Sequence, residues 1–94
     1  MTKEEIIEIK SLCVDFAQSI IDHKLTVDLE KLRKQRTFND VFVQLYSLAM
    51  VKVDPRCVKF FAFLGSKINS PNQNEYTTIF RDSVLEHLKA NGYK

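Results

Sequence analysis

A basic and aromatic pattern in the second half of the chain is the first candidate for binding chemistry. Arg56, Lys59, Phe63 and Lys67 recur at helical spacing, which places them on one face of a helix. A phenylalanine framed by cations can stack a nucleotide base while the cations hold phosphates. The same arrangement can form an apolar anchor inside a charged rim at a protein interface. A third interpretation is structural, with Phe63 packed inside and the long cationic stems around it.

A second cluster of four basic residues lies between positions 31 and 36. Two of its members, Lys31 and Lys34, project away from the apolar side of this segment, which carries Leu29 and Leu32. They are candidates for binding a partner or a nucleic acid if the fold brings them beside Phe63. If the fold keeps them apart from Phe63, Lys31 and Lys34 are ordinary solvent-exposed residues at the end of a helix.

Two serine and histidine pairs have a spacing that could support nucleophilic catalysis. Ser19 and His23 lie one helical turn apart, as do Ser83 and His87. A working pair also needs an orienting group and an oxyanion site, and the sequence indicates neither. We therefore expect no catalytic residues and no enzyme. His87, on an apolar face, is expected to be a packed histidine satisfied by a neighbour, the alternative being a pH-sensitive contact.

The cysteines and glycines exclude several other kinds of site. Cys13 and Cys57 are too few for a disulfide scaffold, and no cysteine and histidine spacing matches a zinc site. Both fall on apolar stripes, so we expect buried thiols. Only two glycines occur, so there is no glycine-rich phosphate loop. We expect no metal, no cofactor and no small-molecule substrate.

Charge is distributed unevenly along the 94 residues. Residues 1–30 carry three lysines and seven acids, residues 31–67 carry eight basic residues and two acids, and residues 68–94 balance. The net charge is only +2. Lysine outnumbers arginine ten to four, which disfavours sequence-specific base recognition because arginine is the better bidentate donor.

The elements that carry these residues are predicted to be helices. The all-α expectation is a compact bundle of four to five helices in a single α-helical domain over residues 1–94, because turn-forming residues are scarce and apolar residues recur at helical spacing. Thr2, Thr37 and Asp54 are expected N-caps, and either Thr26 or Asp28 is expected to cap the second helix. Gly92 is expected to end the last helix. The predicted helices cover about 3–23, 27–35, 38–52, 55–68 and 72–90.

One segment has a competing interpretation. Residues 41–53 contain β-formers and could form a strand, but they show neither strict alternation nor a hairpin turn, so we favour a helix. In the fourth helix, Cys57, Phe61, Leu64 and Ile68 are expected to face inward, with Phe60 at the margin of the outward face.

The first helix has a second apolar row formed by Ile7, Val14 and Ile21. Together with the main stripe it makes half of the helix circumference apolar, which is more than one core contact needs. We expect this row to mediate self-association, most simply as a two-fold homodimer.

These features favour a small non-enzymatic binding protein, a stoichiometric regulator or inhibitor of a macromolecular protein partner. The abundance of Lys, Ile, Asn and Phe is typical of an AT-rich genome, microbial or viral. The alternative is a protein that binds RNA or single-stranded nucleic acid through the basic middle third. Because no apolar run could span a bilayer and Glu4 and Glu5 do not fit a leader, we expect a cytoplasmic protein without membrane contact (host cytoplasm for a viral one).

Overall fold

Side-chain caps begin four of the five helices in the described residues. The computed structural model describes residues 2–49 and 54–93. Thr2 Oγ1 accepts a hydrogen bond from the amide of Glu5 at 3.1 Å. Asp28, Thr37 and Asp54 accept equivalent bonds from amides two or three residues later, which confirms them as N-caps. Each bond satisfies an amide that has no partner within its helix.

The helices confirm the all-α prediction. They are α1 (Lys3–Asp22), α2 (Leu29–Lys34), α3 (Phe38–Ala49), α4 (Pro55–Gly65) and α5 (Gln73–Ala90). The strand alternative is wrong for residues 41–49, which belong to α3, while residues 50–53 lie outside the described residues. None of the helices in the described ranges combines the length and apolar character needed to cross a bilayer.

The fourth helix ends earlier than predicted. After Gly65 the chain continues in turns, and the Ser66 hydroxyl donates to the Phe63 carbonyl at 2.6 Å. The helical register therefore does not extend to Ile68, whose side chain is 45% exposed. The prediction that Ile68 faces inward is wrong for this reason.

The helices are arranged around α1 and α5, which pack extensively on each other. The fourth helix packs on α1 and also contacts α3, while α2 and α3 pack on α5. This arrangement places one side of α4 directly along α1, and that junction carries the site described below.

Stacked phenylalanines fill the centre of the bundle. Phe16 of α1 and Phe60 of α4 stack with ring centroids 4.3 Å apart, and Phe80 of α5 packs at a steep angle on Phe60 at 5.8 Å. Phe60 is fully buried, so its placement at the margin of an outward face is wrong. The buried arc of α4 is wider than its predicted stripe because several helices cover it. Cys13 and Cys57 are buried free thiols, as predicted.

Candidate functional site

The four residues of the basic and aromatic pattern have separate surroundings. Arg56 is held by carboxylates at the junction of α1 and α4. Its Nη1 donates to Asp22 at 2.8 Å, and its Nη2 donates to Asp54 at 2.9 Å. Asp54 also pairs with His23 Nε2 at 2.9 Å. Arg56 therefore ties two helix ends together, and its charge is already matched by acids.

These hydrogen bonds shift the pKa values of the groups at the junction. The Arg56 side chain, its backbone amide and His23 hold the pKa of Asp54 well below the ordinary value. Hydrogen bonds from Gln18 and then Arg56 lower the pKa of Asp22. The two carboxylates raise the pKa of Arg56 in return. Each partner thus favours the charged state of the other.

Phe63 lies half-buried beside α5. Its ring packs at right angles to Phe80, with centroids 6.1 Å apart. Lys67 Nζ lies 5.2 Å from the centroid of the Phe63 ring and 5.1 Å from that of Tyr76, in cation–π geometry. Lys67 thus occupies one face of Phe63.

An open groove of about 690 Å³ separates α1 from α4 and includes part of the predicted site. The fourth helix contributes Lys59 and Phe63. The first helix contributes Glu4, Ile7, Glu8, Ser11, Leu12 and Asp15. The groove thus joins residues from the predicted binding face of α4 to Ile7, which the sequence nominated for self-association.

Most of the charged residues that line the groove are acidic. Glu4, Glu8 and Asp15 lie along α1, whereas Lys59 is the one cation among the described residues that line the groove. Within residues 2–49 and 54–93, none of these four side chains forms an ion pair. Sequence reasoning did not include the three acids in a site. The excess of acids in residues 1–30 was the available signal, but it did not show which helix they face.

The predicted self-association row does not form a single exposed stripe. Ile7 is 68% exposed and lines the groove, and Val14 is 38% exposed. Val14 instead lines a shallow recess with Lys10 and with Ser83, Glu86 and His87 of α5. Ile21 is half-buried against the core. The accessible part of the row is therefore Ile7 and Val14, which belong to different surface features.

The second basic cluster lies on a different part of the bundle from the groove. Lys31 and Lys34 are exposed on α2, and Lys34 lies 3.8 Å from Glu30. The second helix packs mainly on α5, whereas α4 packs mainly on α1 and α3. Lys31 lines a separate recess of about 410 Å³ between α2 and α3.

The serine and histidine pairs have other partners. The Ser19 hydroxyl is buried, donates to the Phe16 carbonyl at 2.6 Å and contacts Cys57 Sγ at 3.2 Å. His23 binds Asp54, and His87 Nε2 lies 3.0 Å from Gln18 Oε1. His87 is therefore satisfied by a polar neighbour, as expected.

Among the described residues, the buried thiol and the other potential metal ligands form no further site. Burial raises the pKa of the Cys13 thiol to about 12, so it is held as a neutral thiol. No group of three or more His, Cys, Asp or Glu side chains that could hold a metal occurs in the described part of the chain. In comparisons with known proteins, no family model, curated protein or solved structure matches the chain.

Proposed function

We propose that the protein is a small non-enzymatic binding protein that docks a protein partner in the groove between α1 and α4. It would act by binding that partner stoichiometrically, as a regulator or inhibitor. The observation that carries this proposal is the groove itself, in which exposed Ile7 and half-buried Phe63 are framed by charged side chains. An apolar anchor within a charged rim is typical of protein interfaces.

The same surroundings favour a protein over a nucleic acid as the ligand. Glu4, Glu8 and Asp15 would repel a phosphate backbone along the groove. Lys67 already occupies one face of Phe63, which leaves less of the ring for base stacking. RNA or single-stranded DNA is the alternative ligand, and it would have to use Lys31, Lys34 and Lys59 without Arg56.

Self-association and location complete the proposal. We propose a homodimer that buries Val14, since this valine is an exposed apolar residue on the central helix α1. The cytoplasm is the proposed compartment. Two buried free thiols are consistent with a reducing environment.

The proposal is tested by a peptide selection that makes no assumption about the charge of the ligand. A displayed library of helical peptides is selected against the immobilised protein, and the enriched peptides are measured against Ile7→Ser and Val58→Ser. Val58 is a matched control because it is 61% exposed on α4 and does not line the groove. We expect binding to be lost in Ile7→Ser and retained in Val58→Ser.

The alternative is measured in parallel with single-stranded RNA oligonucleotides over a salt series. Peptides that bind both variants equally, or a selection that enriches none, would overturn the groove proposal. Tight RNA binding that falls steeply with salt would instead support the nucleic-acid alternative.

A further inference from the structure

We infer that the occupant of the α1–α4 groove is a cationic amphipathic helix of a protein partner. This inference rests on the proposed function and adds the chemistry of the ligand. It differs from the nucleic-acid interpretation of the basic pattern on α4, which requires an anionic ligand. The difference follows from the acids that α1 places on the groove.

The charges of the groove are complementary to a basic segment. Among the described residues, Glu4, Glu8 and Asp15 line the groove together with one cation, Lys59. Glu5 lines a smaller recess of about 230 Å³ that shares Glu8 and Phe63 with the groove and also contains Lys67. Because these acids form no ion pairs within the described residues, their potential is available to a ligand.

The length of the groove suits a short helix. Glu4 and Asp15 lie eleven positions apart on α1. At a rise of about 1.5 Å per residue they are separated by about 16 Å along the helix axis. A ligand helix of about three turns therefore spans the acids, and lysines or arginines on its flanks can meet them.

Three large apolar residues that line the groove supply the apolar part of the contact, namely Ile7, Leu12 and Phe63. Ile7 is the most exposed large apolar residue of the described chain. Helices that dock in grooves present apolar anchors at positions i, i+3, i+4 and i+7. Lys59 on the opposite wall favours an acidic residue on that edge of the ligand.

A second copy of the chain is a poorer occupant. Its basic helix α2 has only six residues, and its apolar residues Leu29 and Leu32 are buried in its own core. This helix can offer positive charge but no apolar anchors. A helix of a partner protein that carries both features fits the groove better than α2 of a second copy.

The inference is tested with synthetic peptides measured by fluorescence anisotropy. The probe is a labelled peptide of about 15 residues with leucines at helical spacing, lysines along one flank of the leucine stripe and a glutamate on the other flank. One control peptide carries glutamate at every lysine position. A second has the same composition with the helical period of the leucines scrambled.

Protein variants then locate the binding. We expect Ile7→Ser, and separately Glu8→Gln combined with Asp15→Asn, to weaken binding of the cationic peptide by about fivefold or more. The controls Val58→Ser and Glu75→Gln should leave it within about twofold, because neither residue lines the groove. Circular dichroism verifies that each variant is folded.

The outcomes separate the two proposals. Selective binding of the cationic helix that requires Ile7 and the acids supports the inference. Equal or tighter binding of the glutamate peptide, lost in Ile7→Ser, overturns the ligand chemistry but leaves the groove function standing. Binding of the scrambled peptide at equal affinity, or no binding of the cationic peptide, also overturns the inference, and the unbiased selection then decides the groove function independently.

Discussion

The Arg56 guanidinium donates to the Asp22 carboxylate over 2.8 Å and so joins the first turn of α4 to the last turn of α1. On the α4 side, Arg56 also binds Asp54, the N-cap of its own helix. The junction fixes one end of the α1–α4 pair, whereas Lys59 and Phe63 line the groove farther along the same helix. Arg56 therefore positions the groove, and we do not expect it to contact the ligand.

The Arg56 and Asp54 pair predicts a pH dependence of stability. Arg56 holds the pKa of Asp54 below its ordinary value of 3.8, so the pair stabilises the fold above about pH 4. This stabilisation is lost as the pH falls and Asp54 becomes protonated. We expect Asp54→Asn to lower the melting temperature at pH 7, and the difference from wild type to shrink from about pH 4 to about pH 2.

Thermal unfolding followed by circular dichroism across this pH range measures the effect. Glu86→Gln is the matched control, since Glu86 is exposed and forms no ion pair within the described residues. A gap between wild type and Asp54→Asn that stays constant down to pH 2 would show that the pair does not stabilise the fold.

The central aromatic stack predicts a large difference between two neighbouring phenylalanines. Phe60 is fully buried against Phe16, so Phe60→Ala should cost about 3–5 kcal/mol of unfolding free energy. Since such a variant can fall below the threshold for folding, Phe60→Leu provides a milder change of about 1–2 kcal/mol. Phe63→Leu should cost less than about 1 kcal/mol because Phe63 is only half-buried.

Urea unfolding of Phe60→Leu and Phe63→Leu compares the loss of unfolding free energy at the two positions, because both substitutions remove the same side-chain volume. Equal losses for Phe60→Leu and Phe63→Leu would contradict the packing described here. They would also remove the reason for treating Phe63 as a groove residue.

Val14 provides the test of the proposed homodimer. We expect Val14→Asp to dissociate it without changing the helical content, because the side chain is partly exposed and a charge cannot be buried without a partner. Size exclusion with light scattering over a range of concentrations should shift from twice the monomer mass to the monomer mass of 11.0 kDa.

Val43→Asp is the control for the homodimer, since Val43 is 54% exposed on α3, away from α1. A dimer that persists in Val14→Asp, or a wild-type protein that is monomeric throughout, would rule out this contact.

Local sequence signals predicted much of the secondary structure. The caps at Thr2, Asp28, Thr37 and Asp54 are confirmed because each depends on a side chain and an amide two or three residues away. The end of α4 was placed too late. Apolar Ile68 continued the helical period, but the turns after Gly65 remove it from the helix.

The candidate site was only partly predictable for a different reason. Helical spacing grouped Lys59 with Phe63 and singled out Ile7 on α1, and all three line the groove. It placed Phe60 on the wrong side, because the width of a buried arc depends on how many neighbours cover a helix. It also gave Arg56 the same role as Lys59, since the carboxylate of Asp22 that binds it is distant in sequence.

The sequence by itself therefore determined the helical class, the positions of the caps and the sets of residues that share a face of one helix. These properties follow from interactions within a few residues along the chain. Only the tertiary structure decided that α1 lies along α4 and sets Glu8 and Asp15 across from Lys59 and Phe63. The position of α1 against α4 depends on contacts between helices, such as the stacking of Phe16 on Phe60. The periodicity of a single helix does not encode these contacts.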